Sequence, residues 1–160
     1  MKTGVVITLA QYAHELQVAG LLLERIQFLG SDYFCPSPEW LFEFGPYIKS
    51  ARFDYMPGVW VCEQFARLAA VEADIAWLEA VEKDPSLPRI HHAFGEATGR
   101  DYPAPGAEGL AAIGTAHALN LCRCSDGQLY VFDPQNCEDP ENIYPLTSAR
   151  NTFKPDRVRA

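Results

Sequence analysis

Three residues far apart in the chain have side chains that could work as one unit: Cys62, His117 and Asp133. The cysteine lies in "VCEQFA", where a helical pattern begins. The histidine follows 55 residues later in "GTAHALN", and the aspartate 16 residues after that in "LYVFDPQN". A helix N-terminus presents unpaired N–H groups and partial positive charge, so a thiolate there is stabilised and its pKa falls. Such a thiolate is a nucleophile, and an imidazole can carry a proton from it to a leaving group if another group fixes the ring. The chain order is therefore that of nucleophile, base and orienter. The Cys62 backbone N–H supplies one candidate donor for a developing oxyanion. Tyr55, Gln64 and Trp60 are candidates for the second, and Gln135 either lines the cleft or finishes a strand.

Each residue also has a structural reading. Free cysteines are commonly packing residues, a strand histidine can be satisfied by a backbone group, and Asp133 before Pro134 can simply begin a turn. Cys122, Cys124 and Cys137 lack the tight paired knuckles of structural zinc and read as half-buried strand residues. His91-His92 has no acidic or cysteine partner at ligand spacing and is expected to be exposed; His14 has no evident partner. No metal site is expected.

The elements that must position these residues follow from periodicity. Residues 8–29 carry apolar side chains at helical spacing and predict a first helix closed by Gly30. Ser37 followed by Pro38 predicts a short capped helix. The strongest helix spans about 62–83, with Phe65, Leu68, Val71, Ile75 and Leu78 as its apolar stripe and Asp84-Pro85 as its stop. Residues 84–108 are rich in proline and glycine and read as a long irregular crossing segment. Strands are predicted at 110–124, 128–133 and near 143–146, giving an antiparallel sheet over about 109–150 after a helical part over about 1–83. This is an α+β domain occupying 1–160, a long helix with the cysteine at its N-terminus packed on a small antiparallel sheet. A three-residue loop, Ser125-Asp126-Gly127, would pair 119 with 133 and 117 with 135. That register puts His117 and Asp133 diagonally on one face.

"VCEQFA" at a helix start, then "GTAHALN", then "LYVFDPQN", resembles the papain-like cysteine protease superfamily. It is most similar to the protease domain of fungal chimeric lectins of the Marasmius oreades agglutinin type. The resemblance covers roughly residues 55–137 and implies a papain-like fold with Cys62 as nucleophile, His117 as base and Asp133 as orienter. Those lectins carry an acidic run after the cysteine and depend on calcium. Here Glu63-Gln64 has a single carboxylate, so no cofactor is expected and calcium stands only as an implication of the resemblance. Met56 and Tyr55 stand where papain relatives place an oxyanion glutamine, and the chain has no sugar-binding repeat, so lectin activity is not implied.

Composition sets the outer bounds. The formal net charge of −8, with basic residues only sparse at the tail (Lys154, Arg157, Arg159), argues against nucleic acid. The most apolar window, Val18 to Leu23, is far too short for a bilayer, and no basic amphipathic helix suggests a membrane surface. Five scattered cysteines and no evident signal peptide read as a reduced cytoplasmic protein. The primary expectation is a cysteine hydrolase, a thiol peptidase or amidase acting on a peptide or protein, with acyl transfer open to the same triad. The alternative is a non-catalytic protein-binding module, of adaptor or immunity type, on the same scaffold, its acidic surface suited to a basic partner.

Overall fold

A computed structural model describes residues 4–48, 62–101 and 116–160. In chain order the elements are β1 (Gly4–Thr8), α1 (Leu9–Val18), β2 (Ile26–Gln27), β3 (Asp32–Pro36), α2 (Pro38–Phe44), α3 (Cys62–Lys83), β4 (His91–His92), β5 (Phe94–Arg100), β6 (Ala116–Arg123), β7 (Leu129–Phe132), β8 (Tyr144–Pro145) and β9 (Lys154–Arg159). A six-stranded sheet has the order β2-β9-β5-β6-β7-β8, and a smaller sheet has the order β1-β3-β4. Among the described residues only β2–β9 and β3–β4 are parallel.

Alternation along the strands separates two cores. Ala97, Leu119, Leu121, Val131 and Val158 pack with Tyr12 and Leu16 of α1 on one face. Phe94, Cys122 and Phe132 pack with Trp40, Leu41 and Phe44 of α2 and Ala69 and Ala73 of α3 on the other. Local chemistry explains the helix starts. The Thr8 hydroxyl accepts from the Gln11 N–H while the Gln11 side chain accepts from the Thr8 N–H, a reciprocal cap. Ser37 caps α2 through the Trp40 N–H with Pro38 in the first turn, as its sequence predicts.

The mixed α+β class and the 62–83 helix match the sequence reading; several other expectations need correction. The first helix stops at Val18, eleven residues short of the predicted end at 29, and the left-handed glycine is Gly20 (φ +97°), not Gly30. After it the chain turns through a short 3-10 segment into β2, and beyond β2 the Leu29 and Gly30 N–H groups donate to the Tyr33 hydroxyl rather than to helix carbonyls. The segment 84–108 is irregular over 84–90, as expected, but then holds β4 and β5, and β5 lies at the centre of the large sheet. Its glycines mislead because they read as loop residues, whereas here they permit close strand contact. A Cβ at Gly95 would lie 2.5 Å from the Arg159 carbonyl oxygen, and one at Gly99 would lie 2.3 Å from that of Lys154. The sheet is therefore larger than the predicted 109–150 and recruits both β2 and β9.

The buried stripe of α3 is also different from the expected one. Phe65 is buried, but the inward face continues through Ala66, Ala69, Ala73, Trp77 and Val81. Val71, Ile75 and Leu78 are 47%, 51% and 61% exposed. Alanines let the helix approach the sheet closely, close enough for the Asn120 side chain to donate to the Ala66 carbonyl at 2.9 Å. The large aliphatics are left outside. His92 is likewise buried rather than exposed. Its Nδ1 accepts the Phe94 N–H at 3.1 Å, which places the proton on Nε2, 2.9 Å from Asp74 Oδ1.

Replacing Gly99 by valine forces β9 away from β5. The expected outcome is a loss of roughly 1–3 kcal/mol, read as a lowered urea midpoint, while Gly20→Asn, at an open left-handed position, is expected to cost far less.

Candidate functional site

The hairpin β6–β7 has the register Asn120↔Phe132, Leu121↔Val131, Cys122↔Tyr130 and Arg123↔Leu129. Continued past the strand, this aligns 119 with 133 and 117 with 135, as the three-residue loop requires. The Cys124 N–H bonds the Gln128 carbonyl at 2.9 Å, and Gly127 takes the left-handed position (φ +87°). His117 Nε2 thereby lies 3.4 Å from Asp133 Oδ2.

Asp133 is 1% exposed, and its charge is compensated by several donors. Besides His117 it accepts the Gln135 N–H at 3.1 Å and the Asn136 side-chain amide at 2.7 Å. Burial alone would raise its carboxyl pKa; the hydrogen bond and charge of His117, then Gln135 and Asn136, reverse this and hold it below the ordinary value. The role of Gln135 is thus a backbone one. Asn136 is the residue the sequence reading missed. Its signal is the Asp-Pro-Gln-Asn turn, in which an Asx side chain commonly bonds the backbone two residues on.

Cys62 is the first residue of α3 and half-buried, with its side chain hydrogen-bonded to His117. With Nε2 turned to the carboxylate, the Nδ1 side of the ring is the one left for the sulfur. That hydrogen bond lowers the thiol pKa, burial opposes it, and the Ala118 N–H donating to the sulfur lowers it further. For His117 burial alone would lower the pKa; the bonds to Asp133 and Cys62 overcome it and carry it up to about 9. The result is a thiol held below its ordinary pKa beside an imidazole held above its own, backed by a buried carboxylate. Chemically it can hold a polar ligand in its field or add to an electrophilic one.

The structure therefore brings Cys62, His117 and Asp133 together. Gln64 is half-buried in the first turn of α3, and two residues along a helix are about 200° apart, so it is turned away from the sulfur's side. Tyr55 and Trp60 lie outside the described residues. Cys35, Cys122, Cys124 and Cys137 are fully buried and free, and burial pushes the thiols of Cys35 and Cys137 up to about 12. Cys62 is chemically distinct from all of them.

A second feature lies on the other end of α3. Trp40, Phe44 and Tyr47 with Ile75 and Ala76 line a groove of about 380 Å³ between α2 and α3, rimmed by Glu43, Glu72 and Glu79. Tyr47 is 78% exposed, and the uncovered Val71, Ile75 and Leu78 run beside it. Among the described residues no helix is long and apolar enough to cross a membrane.

No protein-family model and no curated protein matches the chain. Among solved structures it is similar to a PSL1a–E64 complex, at TM-score 0.65 and 13% identity over 97% of this chain and 51% of that one. It is also similar to Polyporus squamosus lectin bound to the human-type influenza-binding epitope Neu5Aca2-6Galb1-4GlcNAc, at TM-score 0.64 and 13% identity over 97% and 49%. The chain spans about half the length of these solved chains. The likeness is to a lectin rather than to a protease domain, and this corrects four expectations: the papain-like protease resemblance, the cysteine hydrolase function, the peptidase or amidase classification, and a peptide substrate. A nucleophile–base–acid constellation is a local arrangement on a fold and does not by itself make an enzyme. What these comparisons establish for the chain is the α+β fold it shares with half of a lectin chain.

Proposed function

We propose that this chain is a non-catalytic binding module whose partner is a basic protein segment docked on the outer face of α3. The observation that carries this reading is the uncovered stripe of Val71, Ile75 and Leu78 beside an aromatic groove with a glutamate rim. Spacing of i, i+4 and i+7 makes one continuous apolar strip. Three acidic residues at its border favour lysine or arginine around an apolar anchor, and the net charge of −8 steers such a partner toward the surface. The reading needs no cofactor, metal or calcium.

The probe is an amphipathic leucine–lysine helical peptide, with its leucine–glutamate counterpart as control, measured by fluorescence anisotropy. The lysine peptide is expected to bind, to weaken with salt, and to lose at least tenfold in affinity in Ile75→Asp/Leu78→Asp. Equal binding of the glutamate peptide, or no effect of the double substitution, overturns the reading. A concentration-dependent dimer abolished by the same substitutions would make the occupant a second copy and also overturns it.

Cys62, His117 and Asp133 enter the same proposal as a separate small-ligand seat, the charged pair being supported by geometry and by the pKa directions. Stabilisation from the raised His117 pKa is complete below about 6.5 and lost as pH rises through about 9. Stabilisation from the depressed Asp133 pKa is present above 3.8 and lost as pH falls. Iodoacetamide is therefore expected to alkylate Cys62 at pH 6 much faster than an ordinary thiol, whose thiolate fraction falls tenfold per unit below about 8.5. His117→Ala is expected to abolish that advantage and Asn136→Ala to reduce it severalfold; identical pH profiles for all three proteins would show that no ion pair forms.

E64, the compound in one neighbour's complex, is expected to bind wild type and not Cys62→Ala. Binding of the sialylated trisaccharide that survives Cys62→Ala would place the seat elsewhere. Sustained turnover of a peptide or amide panel by wild type, absent in Cys62→Ala, would overturn the non-catalytic reading altogether.

A further inference from the structure

The large sheet extends beyond the helix that covers it. α3 packs on β5 and β6, while β9 and β2 continue the sheet past its edge. In the ladder Glu96 pairs with Arg159 and Thr98 with Arg157, while Gln27 pairs with Arg159 from the other side. These side chains share the face on which α3 lies. The uncovered part is a cleft of about 560 Å³ that runs from β2 to the first turns of α3 at Glu63 and Arg67.

The cleft gathers Arg25, Arg67, Arg157 and Arg159, drawn from three separate stretches of a strongly acidic chain. Arg67 reaches Glu96 at 3.6 Å with its own side chain 64% exposed. Among the described residues Arg25, Arg157 and Arg159 form no ion pair. Three guanidiniums without a direct ion pair share one concavity, and a bound oxyanion would give them a partner. Guanidinium forks match a carboxylate two N–H groups at a time.

The remaining lining narrows the ligand. Glu24, Glu63 and Glu96 against the four arginines leave one net positive charge, which suits a single carboxylate and resists a polyanion. Gln27 and Thr98 line the same space and offer hydrogen bonds to hydroxyl groups; the Thr98 hydroxyl already donates to Asp156, which lies outside the lining.

We infer that the arginine cleft between α3 and the β9–β2 edge binds a sugar acid, its carboxylate held by Arg157 and Arg159 and its hydroxyls by the polar walls. This goes beyond the partner-docking groove between α2 and α3, which shares no lining residue with the cleft, and does not require the Cys62 site.

The test is titration of full-length, 15N-labelled protein with glucuronate, glucose or inorganic phosphate, followed by NMR. Glucuronate is expected to give saturable shifts centred on Glu63, Arg67, Thr98, Arg157 and Arg159, and glucose none. Arg157→Gln/Arg159→Gln is expected to weaken glucuronate at least tenfold, while Ile75→Asp/Leu78→Asp and Cys62→Ala leave it unchanged. Should the arginine variant fold poorly, the glucuronate–glucose contrast on wild type still decides. No saturable shift, shifts located elsewhere, an unaffected folded variant, or phosphate binding as tightly as glucuronate each overturns the inference.

Discussion

A carboxylate at 1% exposure sets the terms for one whole end of this molecule. An uncompensated buried charge is costly, and removing one partner of such a pair typically destabilises by about 3–5 kcal/mol. Asp133 is tolerable because three donors converge on it from two places: the imidazole of β6 and the turn of residues 133–136 that follows β7. That convergence demands one hairpin register. A slip of a single residue would send His117 and Asp133 to opposite faces and leave the carboxylate stranded. Gly127 in its left-handed loop position holds the register from one end, and the 133–136 turn holds it from the other. The imidazole, placed beside the carboxylate, then lowers the thiol pKa of Cys62.

The same logic of close approach shapes the rest of the fold. β5 carries glycines where β9 crosses it, and α3 carries alanines where it meets β5 and β6. Small residues bring backbones together, so backbone carbonyls, such as that of Ala66, become hydrogen-bond partners for a buried side chain from the sheet. Packing by small residues also decides what is left outside. Val71, Ile75 and Leu78 of α3 are left to form an apolar strip facing outward, while β9 and β2 run past the helix and form a polar cleft.

This explains which parts were legible in the sequence. The helix at 62–83, the capped turn at Ser37-Pro38 and the β6–β7 register are written in local chemistry: periodicity, a cap, a left-handed glycine. The contact between Cys62, His117 and Asp133 followed because their elements could be placed and their chemistry is specific. Periodicity reads hydrophobic size as the marker of burial, so it points Val71, Ile75 and Leu78 inward and makes the glycine-marked strand Phe94–Arg100 look like a loop. Burial by alanine and glycine leaves no periodic signal of large side chains. His92 is buried beside Asp74, a partner on a distant helix that local spacing does not show. Nor does spacing reveal that Arg25 and Arg67 stand beside Arg157 and Arg159, since β2 and β9 are paired across nearly the whole chain.

A reactive-looking thiol and a lectin-like fold are compatible once stability and chemistry are separated. The fold requires a compensated Asp133; it does not require that anything be cleaved. The lowered Cys62 and raised His117 pKa values favour opposite charges in a half-buried setting, where Coulomb interactions exceed those in bulk water. Such a field can orient a polar ligand without turnover, and turnover would further need donors for an oxyanion and a path for water. The charge map divides the surface in a similar way. Glutamates border the apolar strip on one flank of α3, and arginines fill the cleft on the other. One helix thus lies between a groove bordered by carboxylates and a cleft that gathers guanidiniums, with Cys62, beside His117 and Asp133, as its first residue.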